Sequence, residues 1–375
     1  MNRSLLLGAT LGLVTVVQPA AARQNGRAAL LTRIDSVVQA EMARSKTPGM
    51  SVAVQRGNDI LLARGYGLAD VEHSVPASAE TVYRIGSITK QFTAAAIMQQ
   101  VEAGKIGLQD ELAKLLPGYP VQGHRVTLHH LLTHTSGIKS YTSLGPKFWN
   151  EASRMDLSDS QMVALFQDAP FDFEPGAKWL YNNSGYYLLG MIVEKASGLP
   201  YRKYLRERLL EPLGLRATSY CDERPIVPHR AQGYEVREGV LMNDDPIGMN
   251  TPGAAGAMCS TVLDLLAWRR ALFSNQVVNA ESLGRMTTPV RLNNDSVTTY
   301  GYGLGIGTLE GHRSISHGGG INGFITQLSY YPDDDITVAV LGNLGGAPSG
   351  RVAQLIARLM LGLSLPPPPA AGAPR

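Results

Sequence analysis

Charged residues are scarce in this chain of 375 residues, in which Asp, Glu, Lys and Arg together make up only 17%. The net charge is +3, and no dense run of lysine or arginine occurs. Recognition of nucleic acid, or of an anionic membrane surface, usually depends on such basic patches. We therefore expect neither partner. The 44% apolar content is typical of a globular protein with one large or two modest domains.

Long apolar runs are lacking as well. Leu5–Val17 is apolar but shorter than the roughly 20 residues that span a bilayer. It follows a basic start and precedes the small residues Ala20–Ala22, which is the pattern of a cleavable secretory signal. We predict a signal peptide over residues 1–22 with cleavage after Ala22. We also expect a periplasmic or secreted location and no transmembrane span in the mature chain.

Cysteine is nearly absent, since Cys221 and Cys259 are the only two in the sequence. An exported pair can form a disulfide, but the sequence does not show whether the two residues meet. Cys259 lies in a small-residue stretch with no histidine nearby, so we do not expect it to be a nucleophile. Proline is concentrated in residues 365–375, which we predict to form a disordered tail.

Several catalytic motifs are also missing. No G-x-S-x-G pentapeptide occurs, which argues against an α/β-hydrolase in spite of the string His317–Gly320. Gly342–Gly350 lacks the Gly-Lys-Ser/Thr ending of a phosphate loop. His130 and His134 are four residues apart, but Leu131 stands where a zinc peptidase needs glutamate. We therefore assign these histidines to helix packing and loop hydrogen bonds rather than to a metal.

The order of predicted elements indicates an α/β protein. Two β-rich runs, 49–55 and 60–65, flank a Gly-Asn turn and predict a hairpin near the N-terminus. Helical segments and long loops fill residues 107–250, and Ser349–Leu361 has a helical apolar face. Further strands are predicted at Gly303–Gly307, Ser314–His317, Phe324–Tyr331 and Thr337–Leu341. This order predicts one folded domain over residues 23–364, with a sheet built from both ends of the chain.

Ser87-Ile88-Thr89-Lys90 is the tetrapeptide with the clearest chemical meaning. It precedes the apolar segment Thr89–Val101, which is rich in good helix formers and is followed by a possible stop at Gly104. On a helix, Ser87 and Lys90 lie on one face. A buried lysine is pushed toward its neutral form and can then take a proton from a serine. The alternative is an N-terminal serine followed by a surface lysine.

Two other strings could complete such a site. Tyr181-Asn182-Asn183 offers a hydroxyl for proton transfer and an amide that could orient a lysine. The glycines after His317 allow close backbone approach, and their N–H groups could hold an oxyanion. Taken singly, each string is equally compatible with a structural role, as packed aromatic residues or as a strand-end turn.

Together, three motifs resemble the penicillin-recognising serine hydrolases. They are S-x-x-K at Ser87–Lys90, Y-x-N at Tyr181–Asn183, and K/H-x-G at His317–Gly319. Four connecting segments look similar too: Tyr83–Ser87, Leu131–Gly137, Phe173–Tyr181 and Tyr300–Leu304. The likeness covers about residues 34–361. It is to the branch with class C β-lactamases, D-alanyl-D-alanine peptidases, D-aminopeptidases and β-lactamase-like carboxylesterases.

The resemblance implies a fold and a division of roles. The fold class is α/β (α+β): an antiparallel sheet flanked by the N- and C-terminal helices, with an inserted, mainly helical region at about 107–250. Ser87 would attack a carbonyl and form an acyl-enzyme, while Lys90 and Tyr181 share the proton transfers. Asn183 would orient Lys90 and contact the substrate. No metal and no organic cofactor is implied.

The third motif is expected to bind substrate through His317, Gly319 and Gly320. The resemblance implies an oxyanion hole made by the backbone N–H groups of Ser87 and Gly320. Class C β-lactamases have lysine where this chain has His317. Histidine is mostly neutral at pH 7, so it should anchor a substrate carboxylate less strongly. Efficient β-lactamase activity is therefore less expected here.

Three functions remain open at this point. The leading hypothesis is an exported serine hydrolase that cleaves amide bonds in D-amino-acid peptides or β-lactams. The first alternative is a carboxylesterase of short acyl esters that uses the same catalytic groups. The second is a non-catalytic penicillin-binding or scaffold protein. The expected partner is a small-molecule or peptide substrate, and the sequence does not indicate an oligomeric state.

Overall fold

The computed structural model describes residues 20–367. The predicted signal peptide (1–22) and Pro-rich tail (365–375) therefore lie mostly outside the described residues. Within that range, no helix is both long and apolar enough to cross a membrane.

A seven-stranded antiparallel sheet forms the centre of the fold, as predicted. From one edge of the sheet to the other, the strands are Val75–Pro76 (β3), Asp59–Asp70 (β2), Gly49–Arg56 (β1), Ile336–Gly342 (β12), Phe324–Tyr331 (β11), His312–Ile321 (β10) and Gly305–Leu309 (β9). The pairing of β1 with β12, in which Val52 faces Val340, joins the two ends of the chain. The predicted hairpin between the first two strands is confirmed.

Two apolar layers cover the sheet. The terminal helices α1 (Ala20–Ser45) and α12 (Ser349–Leu361) pack on one face, where Ile34 and Ile356 join a core with β1 and β12. β12 is buried along its whole length because helices cover both faces. Such a strand is expected to be apolar throughout rather than alternating.

The opposite face carries the helices that build the site. These are α2 (Thr89–Glu102), α3 (Leu112–Leu115), α4 (Leu128–Leu132), α5 (Pro146–Asn150), α6 (Asp159–Ala164), α7 (Asn183–Ser197), α8 (Tyr201–Leu205), α9 (Gly253–Gly256), α10 (Val262–Phe273) and α11 (Ala280–Met286). Short 3₁₀ turns lie at Gly86–Ile88, Tyr141–Ser143 and Ala152–Arg154, and a π-helical turn lies at Arg206–Leu210. In the largest core cluster, Phe92 of α2 stacks on Trp268 of α10 with ring centroids 3.8 Å apart.

The inserted region is less purely helical than the sequence indicates. Its short strands belong to a three-stranded sheet, β4 (Tyr83–Arg84), β8 (Met258–Ser260) and β5 (Ser219–Tyr220), and to a hairpin, β6 (Tyr234–Arg237) with β7 (Val240–Asn243). Strands of two to four residues carry too little alternation to be recognised. Glu238 and Gly239 both have positive φ and close the hairpin.

The two cysteines meet. Cys221 follows β5 and Cys259 lies in β8, and they form a disulfide with their Cα atoms 5.1 Å apart. The bond is buried in a small apolar cluster with Val82 and Met249. It links the later part of the inserted region to β8, the strand that precedes α10.

Candidate active site

Ser87 and Lys90 occupy one helical face, as their spacing predicts. Ser87 lies in the 3₁₀ turn Gly86–Ile88, which continues directly into α2. Lys90 Nζ is 3.0 Å from Ser87 Oγ. Gly86 has φ +50°, and a side chain there would approach the backbone of Gly320 to about 3 Å. The glycine therefore permits β10 to lie against the turn that carries the serine.

Lys90 is fully buried, and its partners are neutral. Besides Ser87 Oγ, Nζ contacts Asn183 Oδ1 at 2.8 Å and the Ala255 carbonyl oxygen at 2.7 Å. Among the described residues no carboxylate pairs with it. Burial lowers the pKa of Lys90 well below its ordinary value of 10.5. The geometry thus favours the unprotonated amine.

In its neutral form, Lys90 has two N–H groups and one lone pair, which matches the three oxygen atoms around Nζ. Asn183 Oδ1 and the Ala255 carbonyl oxygen can only accept, so they take the two N–H groups. The lone pair of Nζ is then left for the third neighbour, the Ser87 hydroxyl, which can donate. An unprotonated Lys90 in this arrangement can accept the proton of Ser87.

Tyr181 lies over the same lysine. Its ring centroid is 4.7 Å from Lys90 Nζ, and its Oη is buried with no hydrogen-bond partner among the described residues. Burial raises the pKa of Tyr181, and proximity to the Ser87 hydroxyl offsets the rise only in part. The phenol is therefore protonated at neutral pH, available to give or relay a proton but not to act as a resting phenolate.

Asn183 begins α7 and links it to the catalytic turn. Its side-chain oxygen accepts from Lys90, and its Nδ2 donates to Thr142 Oγ1 at 3.2 Å. Asn182, one residue earlier, is the N-cap and accepts from the Gly185 N–H at 2.8 Å. The Y-x-N motif therefore combines a helix cap with a lysine partner on consecutive residues.

The glycines of β10 have different roles. Gly320 lines the cleft together with Ser87. A side chain at Gly319 would instead lie 1.9 Å from the Ile85 carbonyl oxygen and 2.3 Å from Thr326 Oγ1. There is thus no room for a side chain at Gly319, and its predicted contact with substrate, which would involve only its backbone, stays a prediction. Its absent side chain is what allows the strand to pack against the segment before Ser87.

His317 is also turned away from the cleft. Its Nδ1 donates to the Gly318 carbonyl oxygen at 2.6 Å, and its Nε2 accepts from Tyr300 Oη at 2.8 Å. Burial is the largest cause that lowers the pKa of His317, to about 4. Both ring nitrogens of the neutral side chain are occupied, so the predicted direct contact with substrate is corrected. Side chains alternate along a strand, which places His317 and Gly319 on the same inner face.

A cleft opens in front of Ser87, and none of the described side chains that line it is charged. Its aromatic and aliphatic walls are formed by Tyr141, Phe148, Trp149, Ile247, Pro252 and Ile321. The polar side chains that line it are Ser87, Thr142, Asn183, Thr251 and Asn322. The Thr251 hydroxyl is buried and has no partner within the described part of the chain. Buried polar atoms are normally hydrogen-bonded, so this hydroxyl is free for a ligand.

The histidines of the 129–134 segment have separate protein partners. His129 Nδ1 contacts Tyr302 Oη at 2.8 Å, and His130 closes a capping box with Thr127 at the start of α4. His134 accepts from the Asn182 N–H at 3.0 Å. Within residues 20–367, one group of three side chains has metal-binding geometry, Asp70, Glu72 and His73, at a turn after β2 and outside this site.

Some functional positions escape sequence reasoning. Ala255 contributes only a backbone carbonyl, and Thr251 lies in an unremarkable Asn-Thr-Pro string. Neither carries a chemical signature. Tyr300, which holds His317, does fall in one of the segments that resemble the family, and that likeness was the only available signal.

Comparisons with known proteins agree with this geometry. The family model described as Beta-lactamase matches residues 34–360. Penicillin-binding protein 4* of Bacillus subtilis (strain 168) is 31% identical over 311 residues, which cover 78% of this chain. The chain spans 67%, about two thirds, of that relative's own length.

Two solved structures are similar over most of the chain. The octameric penicillin-binding protein homologue from Pyrococcus abyssi has a TM-score of 0.80 at 32% identity, with coverage of 89% of this chain and 78% of that one. The D-stereospecific amidohydrolase from Streptomyces sp. has a TM-score of 0.77 at 30% identity, with coverage of 88% and 98%. This chain belongs to the beta-lactamase family, within the superfamily of β-lactamase-like serine hydrolases.

Proposed function

We propose that the protein is an exported serine hydrolase that cleaves amide bonds of D-amino-acid peptides or amides through an acyl-enzyme. The observation that carries the proposal is the 3.0 Å contact between Ser87 Oγ and a buried Lys90 whose other partners are neutral oxygens. Such a lysine can accept the serine proton at neutral pH. A non-catalytic binding or scaffold protein would have no need to keep an unpaired lysine buried beside a serine.

In the acylation step, Ser87 Oγ attacks the substrate carbonyl carbon while its proton passes to Lys90 Nζ. The oxyanion that forms accepts hydrogen bonds from the backbone N–H groups of Ser87 and Gly320, a type of contact worth about 3 kcal/mol in barrier. The Tyr181 phenol gives its proton to the leaving nitrogen and regains one from Lys90. The C–N bond then breaks, the amine leaves, and Ser87 carries the acyl group.

In the deacylation step, a water molecule attacks the ester carbonyl of the acyl-enzyme. Its proton passes to the neutral Lys90 and Tyr181 pair, and the same two N–H groups stabilise the second oxyanion. When the C–O bond to Ser87 breaks, the serine oxygen regains a proton. The products are the carboxylic acid and the resting enzyme, so no other reactant is consumed.

The uncharged cleft selects among substrates. β-Lactams and terminal D-alanine peptides carry a carboxylate near the scissile bond, and among the described side chains no cationic one lines this cleft to receive it. His317 is neutral and already bonded on both nitrogens. We therefore infer a preference for amides that are uncharged next to the scissile bond. The 30% identity to a D-stereospecific amidohydrolase supports the amide class.

Ester hydrolysis is the second candidate, and one specific observation favours it. Phe148, Trp149 and Ile247 give the cleft an apolar wall, which suits a short aliphatic or aromatic acyl group. An ester needs no strong acid at its leaving oxygen, so the same groups suffice.

Export is proposed from the N-terminal pattern, and the Cys221–Cys259 disulfide supports it because such bonds persist mainly in oxidising compartments.

The test combines covalent labelling with a substrate panel. Wild type incubated with a fluorophosphonate should gain one adduct by intact mass, whereas Ser87→Ala should gain none. Turnover should follow the order D-phenylalanine p-nitroanilide and nitrophenyl butyrate first, and nitrocefin and D-alanyl-D-alanine peptides last. A wild type that is neither labelled nor active on any of these compounds would refute the enzyme, and preferred turnover of nitrocefin would refute the substrate assignment.

A further inference from the structure

His134 adopts an unusual conformation directly beneath the proposed catalytic tyrosine. It is 1% exposed and follows α4 with φ +60°, in the left-handed region that non-glycine residues seldom adopt. Strained conformations of this kind cost about 1–3 kcal/mol and persist only where the surroundings impose them. The conformation at His134 therefore requires an explanation in its contacts.

His134 accepts hydrogen bonds from the backbone N–H groups of the two residues on either side of Tyr181. The His134 carbonyl oxygen accepts from the Leu180 N–H at 3.0 Å. Its side-chain Nδ1 accepts from the Asn182 N–H, also at 3.0 Å. Residues 177–182 belong to no helix or strand, so they have no regular ladder to hold them. The backbone and the side chain of His134 thus both accept hydrogen bonds from the irregular segment, one on each side of Tyr181.

The ring of His134 also supports the tyrosine from below. Its centroid is 4.4 Å from that of Tyr181 and 4.7 Å from that of Tyr300. Because Nδ1 accepts a hydrogen bond, Nε2 must carry the proton, and that atom has no partner among the described residues. Burial and the nearby Lys90 keep the pKa of His134 well below its usual value, which leaves Nδ1 free to accept.

We propose that His134 is a positioning residue that fixes Tyr181 over Lys90 and Ser87 by accepting from the amides on both sides of it. The inference rests on the proposed role of Tyr181. It also explains the strain, because the left-handed backbone lets the carbonyl oxygen and Nδ1 of the same residue reach amides two positions apart. His134 does not line the cleft in front of Ser87, so it would act through the tyrosine.

Two substitutions distinguish the effect of the hydrogen bond to the His134 side chain from the effect of the strained backbone at that residue. Glycine tolerates positive φ but has no side-chain acceptor, whereas asparagine also tolerates it and places Oδ1 near the position of Nδ1. Misplacement of a catalytic group by about 1 Å can cost 10²-fold in rate. We expect His134→Gly to lower kcat by about 10- to 100-fold with little change in KM. His134→Asn should recover most of this loss.

The control is His130→Gln, because glutamine preserves the capping box at the start of α4 and His130 makes no contact with Tyr181. It should retain wild-type kcat. Equal losses in His134→Gly and His134→Asn, or a loss confined to KM, would overturn the positioning role. Tyr181→Phe is measured alongside. If that variant is fully active, the result refutes the proposed catalytic role of Tyr181 and not the positioning of the chain by His134.

Hydrogen exchange in the wild-type enzyme tests the two hydrogen bonds that His134 accepts, without any substitution. The amides of Leu180 and Asn182 should exchange at least 10-fold more slowly than that of Lys178, although all three lie outside regular structure. This result would support two persistent bonds to His134. Exchange of the Leu180 and Asn182 amides at the rate of Lys178 would overturn the proposal, whether or not the variants fold.

Discussion

Two cationic side chains are buried on neighbouring helices, and the protein treats them differently. Arg269 of α10 reaches the Asp335 carboxylate and Gln55 Oε1, both at 3.3 Å, and lies 4.5 Å from the centre of the Tyr330 ring. Lys90 of α2 has neutral oxygens and two tyrosine faces around it, and no carboxylate among the residues described.

The partner of a buried basic side chain decides whether that side chain stabilises the fold or takes part in proton transfer. Burial lowers the pKa of both groups, but arginine starts so high that it remains charged, and its carboxylate partner compensates the charge. Lysine has a lower starting value and no acid to hold its proton, so it becomes a base. A cation with a carboxylate partner stabilises the fold, whereas a buried lysine without one is available for proton transfer.

The largest effect expected from this contrast is on rate. Lys90→Met should lower kcat/KM by about 10²- to 10⁴-fold, because the general base is lost. Its free energy of unfolding at pH 7 should remain near that of wild type. The apolar chain avoids lysine desolvation, while Asn183 and Ala255 lose a donor. Steady-state kinetics and denaturant unfolding measure both quantities, and a substantially active variant would contradict the role of Lys90.

Arg269→Met should show the opposite pattern. The free energy of unfolding is expected to fall by about 1–3 kcal/mol, because Gln55 Oε1 is left buried without its donor. Activity should stay close to wild type, since Arg269 contacts neither the catalytic groups nor the cleft. Urea unfolding and turnover of the same ester decide the point. A loss of activity with unchanged stability would remove the distinction between the two cations.

The smallest effect concerns the pH dependence of stability. The native pKa of Lys90 lies well below 10.5, so above the native value the unfolded chain binds a proton that the native state does not. The free energy of unfolding should therefore rise with pH between the native value and about 10.5, by at most about 1.4 kcal/mol per unit. Denaturant unfolding at several pH values should show this slope in wild type and Arg269→Met. In Lys90→Met the contribution from residue 90 should be absent, and an unchanged slope would contradict the assignment.

Long periodic segments were well predicted from the sequence. Ser349–Leu361 is a helix with the predicted bounds, and α2 ends at Glu102, one residue beyond the prediction. Phe324–Tyr331 is likewise a strand with the predicted bounds. These elements bury one face or a whole run, so their apolar pattern mirrors their environment. β9 begins at Gly305 rather than Gly303, whose positive φ and close approach to the Lys90 carbonyl oxygen end the strand.

The site was predicted in part. Ser87, Lys90, Tyr181 and Asn183 lie together as the motifs indicate, and Gly320 joins them at the cleft. His317 and Gly319 lie on the inner face of the same strand instead. Which face of a strand meets a cleft depends on its register against its neighbours, and a one-residue shift reverses every side chain. The pairing of β10 with β11 cannot be deduced from a motif of three residues.

From the sequence alone, we could identify the family of this protein and predict a serine and a lysine as its catalytic pair. These depend on residue types at short spacings, which one helical turn brings together. The burial that lowers the pKa of that lysine, the inward orientation of His317 and the contacts of His134 on either side of Tyr181 became apparent only in the folded structure. Burial, the lack of a carboxylate next to Lys90 among the described residues, and hydrogen bonds between residues 17 to 48 positions apart arise from packing, and no local pattern encodes them.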